Sequence, residues 1–180
     1  MVVFLGNPGR QYRDTRHNAG WLLLSWVAAQ YSIPAPEQWK EKFHGHFYKT
    51  TGEAVGLRGA VGGNVVLLRP EQFINNSGQS VRGAVDFFSI PPEQVLVVHD
   101  DLDTPFGEVS CVQRGGHRGH NGVRSITQHL GTDAFWRLRL GIGRPRPGQT
   151  PAAWVLERFS RDEEAMLDDV WERAWQIVTN

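Results

Sequence analysis

Three stretches of the chain concentrate side chains able to exchange protons or direct hydrogen bonds: Asn7–Asn18, Phe73–Asn76 and Asp100–Asn121. The first carries Asn7, Tyr12 and His17, the second Phe73 and Asn75, and the third Asp100, Asp101, Asp103, His117, His120 and Asn121. No Gly-x-Ser-x-Gly elbow occurs, and nothing sets a histidine beside the single cysteine, Cys111. A protein nucleophile is therefore not evident. A His–Asp pair without a nucleophile points to a general base acting on water. The neutral amides of Asn7, Asn75 and Asn121 donate and accept without adding charge, which suits a peptide-like backbone or a polarised carbonyl.

Each of these residues also has a plainer role open to it. His17 fits a helix cap or a surface histidine, and Asp100 fits a turn former, with Asp101 or Asp103 as the working acid instead. Asn75 and Asn76 read equally as loop and N-cap residues. A metal reading would take His117-x-x-His120 with Asp100, Asp101 and Asp103, or His44-x-His46. Two histidines in a glycine-rich loop have no fixed relative geometry, and His-Glu-x-x-His is absent, so no metal is expected. Neither Gly-x-Gly-x-x-Gly nor the Walker lysine pattern appears around Gly6–Gly9 or Gly115–Gly119, which argues against a nucleotide cradle. Cys111 reads as a small buried hydrophobe.

Positioning such residues needs strands that end in loops and helices that start from them. Val2–Leu5 is a short apolar strand running into the Gly/Pro-punctuated loop, and Trp21, Leu24, Val27, Ala28 and Tyr31 recur at helical spacing, predicting a helix from Asn18 to Tyr31. Phe43–Leu68 alternates and breaks at Gly52, Gly56, Gly59 and Gly62–Gly63, as short strands joined by tight turns do, with Val65–Leu68 the clearest. Ser77 is the expected N-cap of a helix marked by Val81, Ala84, Val85 and Phe88. Gln94–His99 is a buried strand delivering the acids at its carboxyl end, followed by a strand at Glu108–Val112 and a helix carrying Val123, Ile126, Thr127 and Leu130. Arg137–Gly141 is a further strand. Thr150-Pro151 starts a short helix, and Ser160-Arg-Asp-Glu163 fits a capping box before a last helix burying Leu167, Val170, Trp171 and Ala174. The expected fold is a single α/β domain over residues 1–180, with a twisted mixed β-sheet flanked by α-helices.

The 180 residues suffice for one well-buried core. No apolar run is long enough to span a membrane, the start lacks the features of a secretory signal, and one cysteine precludes an internal disulfide, so a cytoplasmic setting is expected. The formal net charge of zero hides an asymmetry. Between Arg114 and Arg146 lie seven arginines and one acid, Asp133, whereas Glu157–Glu172 holds seven acids against two arginines. Phosphate binding follows the local field, so the basic segment bears on a nucleic-acid partner more than the total does.

Taken together, the motifs resemble the bacterial-type peptidyl-tRNA hydrolase family. The matches are Gly6-Asn-Pro-Gly9 with Tyr12 and Thr15-Arg-His-Asn18, Pro70-Glu-Gln-Phe-Ile-Asn-Asn-Ser-Gly78, His99-Asp-Asp-Leu-Asp103, Gly115-Gly-His-Arg-Gly-His-Asn-Gly122, Arg137–Arg144 and Val155–Phe159. They stand in the family's order along nearly the entire chain. The resemblance implies hydrolysis of the ester between a peptide and the 3′-terminal ribose of tRNA, which recycles tRNA from stalled synthesis. His17 would be the base that activates water and Asp100 the group that orients its imidazole. Asn7 and Asn75 would bind the peptide and the reacting carbonyl, in a groove that also holds Phe73. Asn121 would place the water or the oxyanion, with His120 beside it, and Tyr12 would pack near the terminal nucleotide.

The implied partner is peptidyl-tRNA, gripped at its acceptor stem and CCA end by Arg114, Arg118 and Arg139 through phosphates. No metal or organic cofactor and no membrane is implied, and a monomer is expected. Val112 stands where family members carry a phosphate-clamping lysine, Ile74 replaces a methionine, and Phe4 replaces a glycine. An RNA-binding protein that has lost catalysis, or a metal-dependent hydrolase using His117 and His120, are the alternatives; the presence of His17, Asp100, Asn7, Asn75 and Asn121 argues against the first.

Overall fold

The computed structural model describes residues 1–57 and 63–179. Strand β1 (Val2–Phe4) lies at the centre of a seven-stranded sheet with β2 (Lys40–Lys42), β3 (Gly45–Thr51), β4 (Asn64–Pro70), β5 (Leu96–Asp101), β6 (Val109–Gln113) and β7 (Trp136–Gly141), in the order β2-β3-β4-β1-β5-β7-β6. The inner strands β4, β1, β5 and β7 run parallel, and β2, β3 and β6 are antiparallel to their neighbours. The sheet is thus mixed, as expected. The turns expected at Gly59 and Gly62 lie outside the described residues.

Apolar layers cover both faces, which is why β1 and β5 read as unbroken apolar runs. Val2, Phe4, Leu96 and Val98 face α1 (Ala19–Gln30) and α6 (Leu167–Thr179), where Leu23, Leu24, Val27, Val170, Trp171, Ala174 and Trp175 are buried. Val3, Leu5, Val95 and Val97 face α2 (Ser77–Phe88) and α3 (Asn121–Leu130), against Val81, Ala84, Val85, Val123 and Ile126. The chain leaving β1 therefore turns to one face and the chain leaving adjacent β4 to the other. The carboxyl ends of the strands beside such a divergence are the usual ligand position in these sheets.

Helix α1 begins almost in contact with the sheet. A Cβ on Gly20 would lie 2.5 Å from the carbonyl oxygen of Leu5 and 2.9 Å from that of Val98. Glycine alone allows that approach, and it brings the residues before α1 down onto the ends of β1 and β5.

Several local expectations need correction. Ser77 is the first residue of α2 rather than its cap, and its hydroxyl donates to the carbonyl of Ile74 at 2.8 Å. Asn18 takes the cap position of α1 without capping it, because its side chain is engaged by Asn7. Strand β5 runs on through Asp100 and Asp101, since pairing with Leu140 and Gly141 of β7 continues past the apolar run. Leu167 is only half-buried. Thr150 does cap α4 (Pro151–Val155), accepting from the Ala153 N–H at 3.2 Å, and Ser160 with Glu163 forms the full capping box of α5 (Arg161–Glu164). Among the described residues no helix is long and apolar enough to cross a membrane.

Candidate active site

The loop after β1 is fixed from within. Asn18 Oδ1 accepts the Asn7 N–H at 2.8 Å and Asn18 Nδ2 donates to the Asn7 carbonyl at 3.0 Å. Asn7 Oδ1 in turn accepts the N–H of Ile74 at 2.8 Å, tying the loop to the turn after β4. This bond orients the side chain of buried Asn7 and leaves its Nδ2–H donors for a ligand. Tyr12 and Phe73 extend the same junction, meeting edge to face at 6.3 Å between ring centres. Phe73 is 55% exposed, and Asn75, two residues on, is exposed as well.

Between these anchors a single helical turn, Arg16–Asn18, presents His17 to the end of β5. His17 Nδ1 lies 2.9 Å from Asp100 Oδ1, and His120 Nε2 lies 2.9 Å from the same oxygen. The tautomers follow from the remaining bonds. His120 Nδ1 accepts the N–H groups of Gly122 and Val123 at 3.1 and 3.3 Å as the cap of α3, so its proton is on Nε2 and points at Asp100. An anionic Asp100 likewise requires a proton on His17 Nδ1, which leaves His17 Nε2 with a free lone pair.

Burial opposes the charge on Asp100, but the two imidazoles, through their charge and their hydrogen bonds, hold its carboxyl far below the usual carboxylate range. Burial likewise works against a charged His17, and Asp100 outweighs it by charge and hydrogen bond, so the imidazole lies above its ordinary value. His99 completes the group. Its Nδ1 donates to the Asp100 carbonyl at 2.7 Å, and its ring meets His120 edge to face at 4.8 Å. Burial, then the nearby His120, push it down to about 3, so it is a neutral wall behind the site. His17, His99, Asp100, His120 and Asn121 line a cavity of about 250 Å³, closed on its far side by Pro151, Ala152 and Val155 of α4.

His17, Asp100 and His120 each offer a donor atom within 4.8 Å of one another, a spacing compatible with a metal ion. Both nitrogens, however, direct N–H at one carboxylate oxygen, and a metal would need both as lone pairs. His117 stands outside this trio, its Nδ1 accepting the Gly119 N–H at 3.0 Å.

The arginines divide. Arg118 pairs with Asp101 and, at 3.3 Å, with Asp103; Arg144 also pairs with Asp103. Arg139 donates to the Gly115 carbonyl at 3.1 Å and lies 3.9 Å from Asp101. Arg118 and Arg139 thus flank the cavity. Arg114 does not join them. Its N–H donates to the Phe135 carbonyl at the amino end of β7, and its side chain is 3.8 Å from Asp133. Arg137 is 0% exposed and donates to the carbonyls of Asp133 and Phe135. Asn121, the first residue of α3, is exposed, and its Oδ1 accepts from Arg124 at 2.6 Å.

Sequence reasoning missed two contributors, His99 and Arg16, and the role of a third, His120. His99 gave no signal beyond its place before Asp100 in an apolar strand. His120 as both cap and second donor to Asp100 was signalled only by its place just before a predicted helix. Arg16 looked like one more loop cation, yet it is 1% exposed and ion-paired with Glu163 at 2.7 Å.

Fold and site define a single-domain α/β protein with a histidine–carboxylate group at the carboxyl ends of β1 and β5. The family model described as "Peptidyl-tRNA hydrolase" matches residues 1–180. A peptidyl-tRNA hydrolase of Synechococcus sp. (strain JA-3-3Ab) is 41% identical over 178 residues, covering 99% of this chain and 75% of that protein. One of Bordetella avium is 44% identical over 181 aligned positions, covering 99% of this chain and 83% of its own. The crystal structure of peptidyl-tRNA hydrolase from Acinetobacter baumannii superposes with a TM-score of 0.82 at 37% identity, covering 98% of this chain and 85% of that one. The chain belongs to the peptidyl-tRNA hydrolase family and is an enzyme of that kind.

Proposed function

We propose that the protein hydrolyses the ester joining a peptide to the terminal ribose of tRNA by a water that His17 activates. The observation that carries this reading is the 2.9 Å contact between His17 Nδ1 and Asp100 Oδ1 in a residue that lines the cavity. Water donates a proton to His17 Nε2 as its oxygen bonds to the ester carbonyl carbon. Asp100 stabilises the imidazolium so formed, and His120 keeps the carboxylate anionic and oriented. Collapse of the tetrahedral intermediate breaks the bond to the ribose 3′ oxygen, which takes the proton back from His17. General base catalysis of this kind contributes roughly 10²–10⁴-fold.

Asn7 Nδ2, Asn75 and Asn121 supply neutral donors for the peptide carbonyls and the developing oxyanion, and Tyr12 and Phe73 form an apolar edge for the terminal nucleotide and the peptide. Arg118 and Arg139 meet phosphates of the CCA end and acceptor stem, with Arg114 reaching only a more distant part of the stem. The enzyme works as a cytoplasmic monomer without a metal. Incubation with N-blocked aminoacyl-tRNA tests the reading: release of the blocked amino acid at a rate unchanged by a chelator is expected. No ester cleavage, or cleavage abolished by the chelator, overturns it.

A further inference from the structure

The mechanism leaves Arg16 unused, although it adjoins the base and is the most deeply buried cation of the opening loop. Its guanidinium donates to both oxygens of Glu163, at 2.9 and 2.7 Å. It lies 3.8 Å from the centre of the Trp154 ring and 5.0 Å from that of Phe159. The Arg16 N–H donates to the Glu157 carbonyl at 2.9 Å, and Thr15 forms a β-bridge with Arg158. The segment from Trp154 to Glu163 therefore grips Arg16 by side chain and backbone together. On the other side of the base, Asn18 is held by both of its bonds to Asn7.

We infer that Arg16 and Glu163 are positioning residues, a clamp that sets His17 against Asp100 and against the cavity wall. The inference rests on His17 being the base. His17 lies between two residues whose side chains are each doubly tied, so its backbone cannot turn without breaking one tie. A buried ion pair is a poor source of stability, since apolar side chains fill such a space with less desolvation. What a planar, bidentate pair supplies is direction. The same guanidinium stacks on Trp154 of α4, the helix whose Pro151, Ala152 and Val155 wall the cavity. One side chain thus fixes the base and the wall it faces.

Glu163 also belongs to the capping box, its Oε2 accepting the Ser160 N–H at 2.7 Å. That double role allows a control. Glu163→Gln retains a capping side chain and loses the charge opposite Arg16; Arg16→Lys retains the charge and loses the fork and the stack; Ser160→Ala weakens the cap and leaves the clamp. Kinetics on N-blocked aminoacyl-tRNA and NMR titration of the His17 imidazole are read for all three. Glu163→Gln and Arg16→Lys are expected to lower kcat by about tenfold to a hundredfold with KM near the parent value. They also move the His17 titration down, as its bond to Asp100 loosens. Ser160→Ala is expected to change neither, even where it lowers Tm as much. A parental His17 titration in both clamp variants, or an equal shift in Ser160→Ala, overturns the inference. A shifted titration with parental kcat leaves the clamp standing and removes His17 as the base.

Discussion

Asp100 serves two imidazoles through one oxygen, and this sharing has a consequence for pH dependence. His17 acts as a base only when neutral, and Asp100 lifts its titration above the ordinary histidine value. The rate therefore falls as pH drops through that raised value, where protonation blocks Nε2. In Asp100→Asn the lifting charge is gone and burial, which lowers the imidazole's titration, is unopposed. The acid limb of the kcat/KM profile is expected to move to lower pH while the plateau falls by roughly 10²–10⁴-fold. A variant profile with the parental acid limb contradicts the pairing. A histidine working with an acid was legible because His17 and the acids Asp100, Asp101 and Asp103 flank predicted elements and no nucleophile competes with them, whereas the choice of Asp100 among the three came only with the family resemblance. His99 and Arg16 were not legible, because burial of a polar side chain depends on neighbours that sequence spacing does not specify: the Asp100 carbonyl for one, Glu163 and Trp154 for the other.

At the scale of elements, the site depends on how closely α1 approaches the sheet. Gly20 sits on the backbone of Leu5 and Val98, nearer than any Cβ permits. Gly20→Ala is expected to push α1 outward, destabilising the fold by about 1–3 kcal/mol as overpacking does. Urea unfolding measures the loss, and kcat should fall with it because His17 precedes the same helix start. Unchanged stability and rate would contradict this packing. Caps at Thr150 and Ser160 were legible because their chemistry is local: a side-chain oxygen and an N–H three residues on. Ser77 was misread because the turn Ile74–Asn76 runs directly into α2, so Ser77 already has helical backbone angles, φ −57° and ψ −25°. The end of β5 was misjudged because its length is set by β7, far along the chain, and not by its own apolar pattern.

For the whole molecule, charge counted along the sequence is a poor guide to charge in space. The arginine-rich segment acquires Asp101 and Asp103 from outside it, and Arg137 turns inward among backbone carbonyls. The cations left beside the cavity are few, so the salt dependence of tRNA binding should be moderate. Arg118→Ala and Arg139→Ala are each expected to reduce the slope of log K against log salt by about 1, and Arg114→Ala by less. Equal effects at all three positions would show that phosphate contacts spread beyond the cavity margin. The mixed sheet flanked by helices was legible from the alternation of apolar strands and helices, whereas which faces α1 and α2 take emerges only in three dimensions.

The central claim is that His17 activates the attacking water. Single-turnover hydrolysis of N-blocked aminoacyl-tRNA by His17→Ala, beside a binding titration of the same variant, tests it most directly. The rate constant is expected to fall by roughly 10²–10⁴-fold with tRNA affinity near the parent value. A near-parental rate, or a rate lost only in proportion to binding, would contradict it.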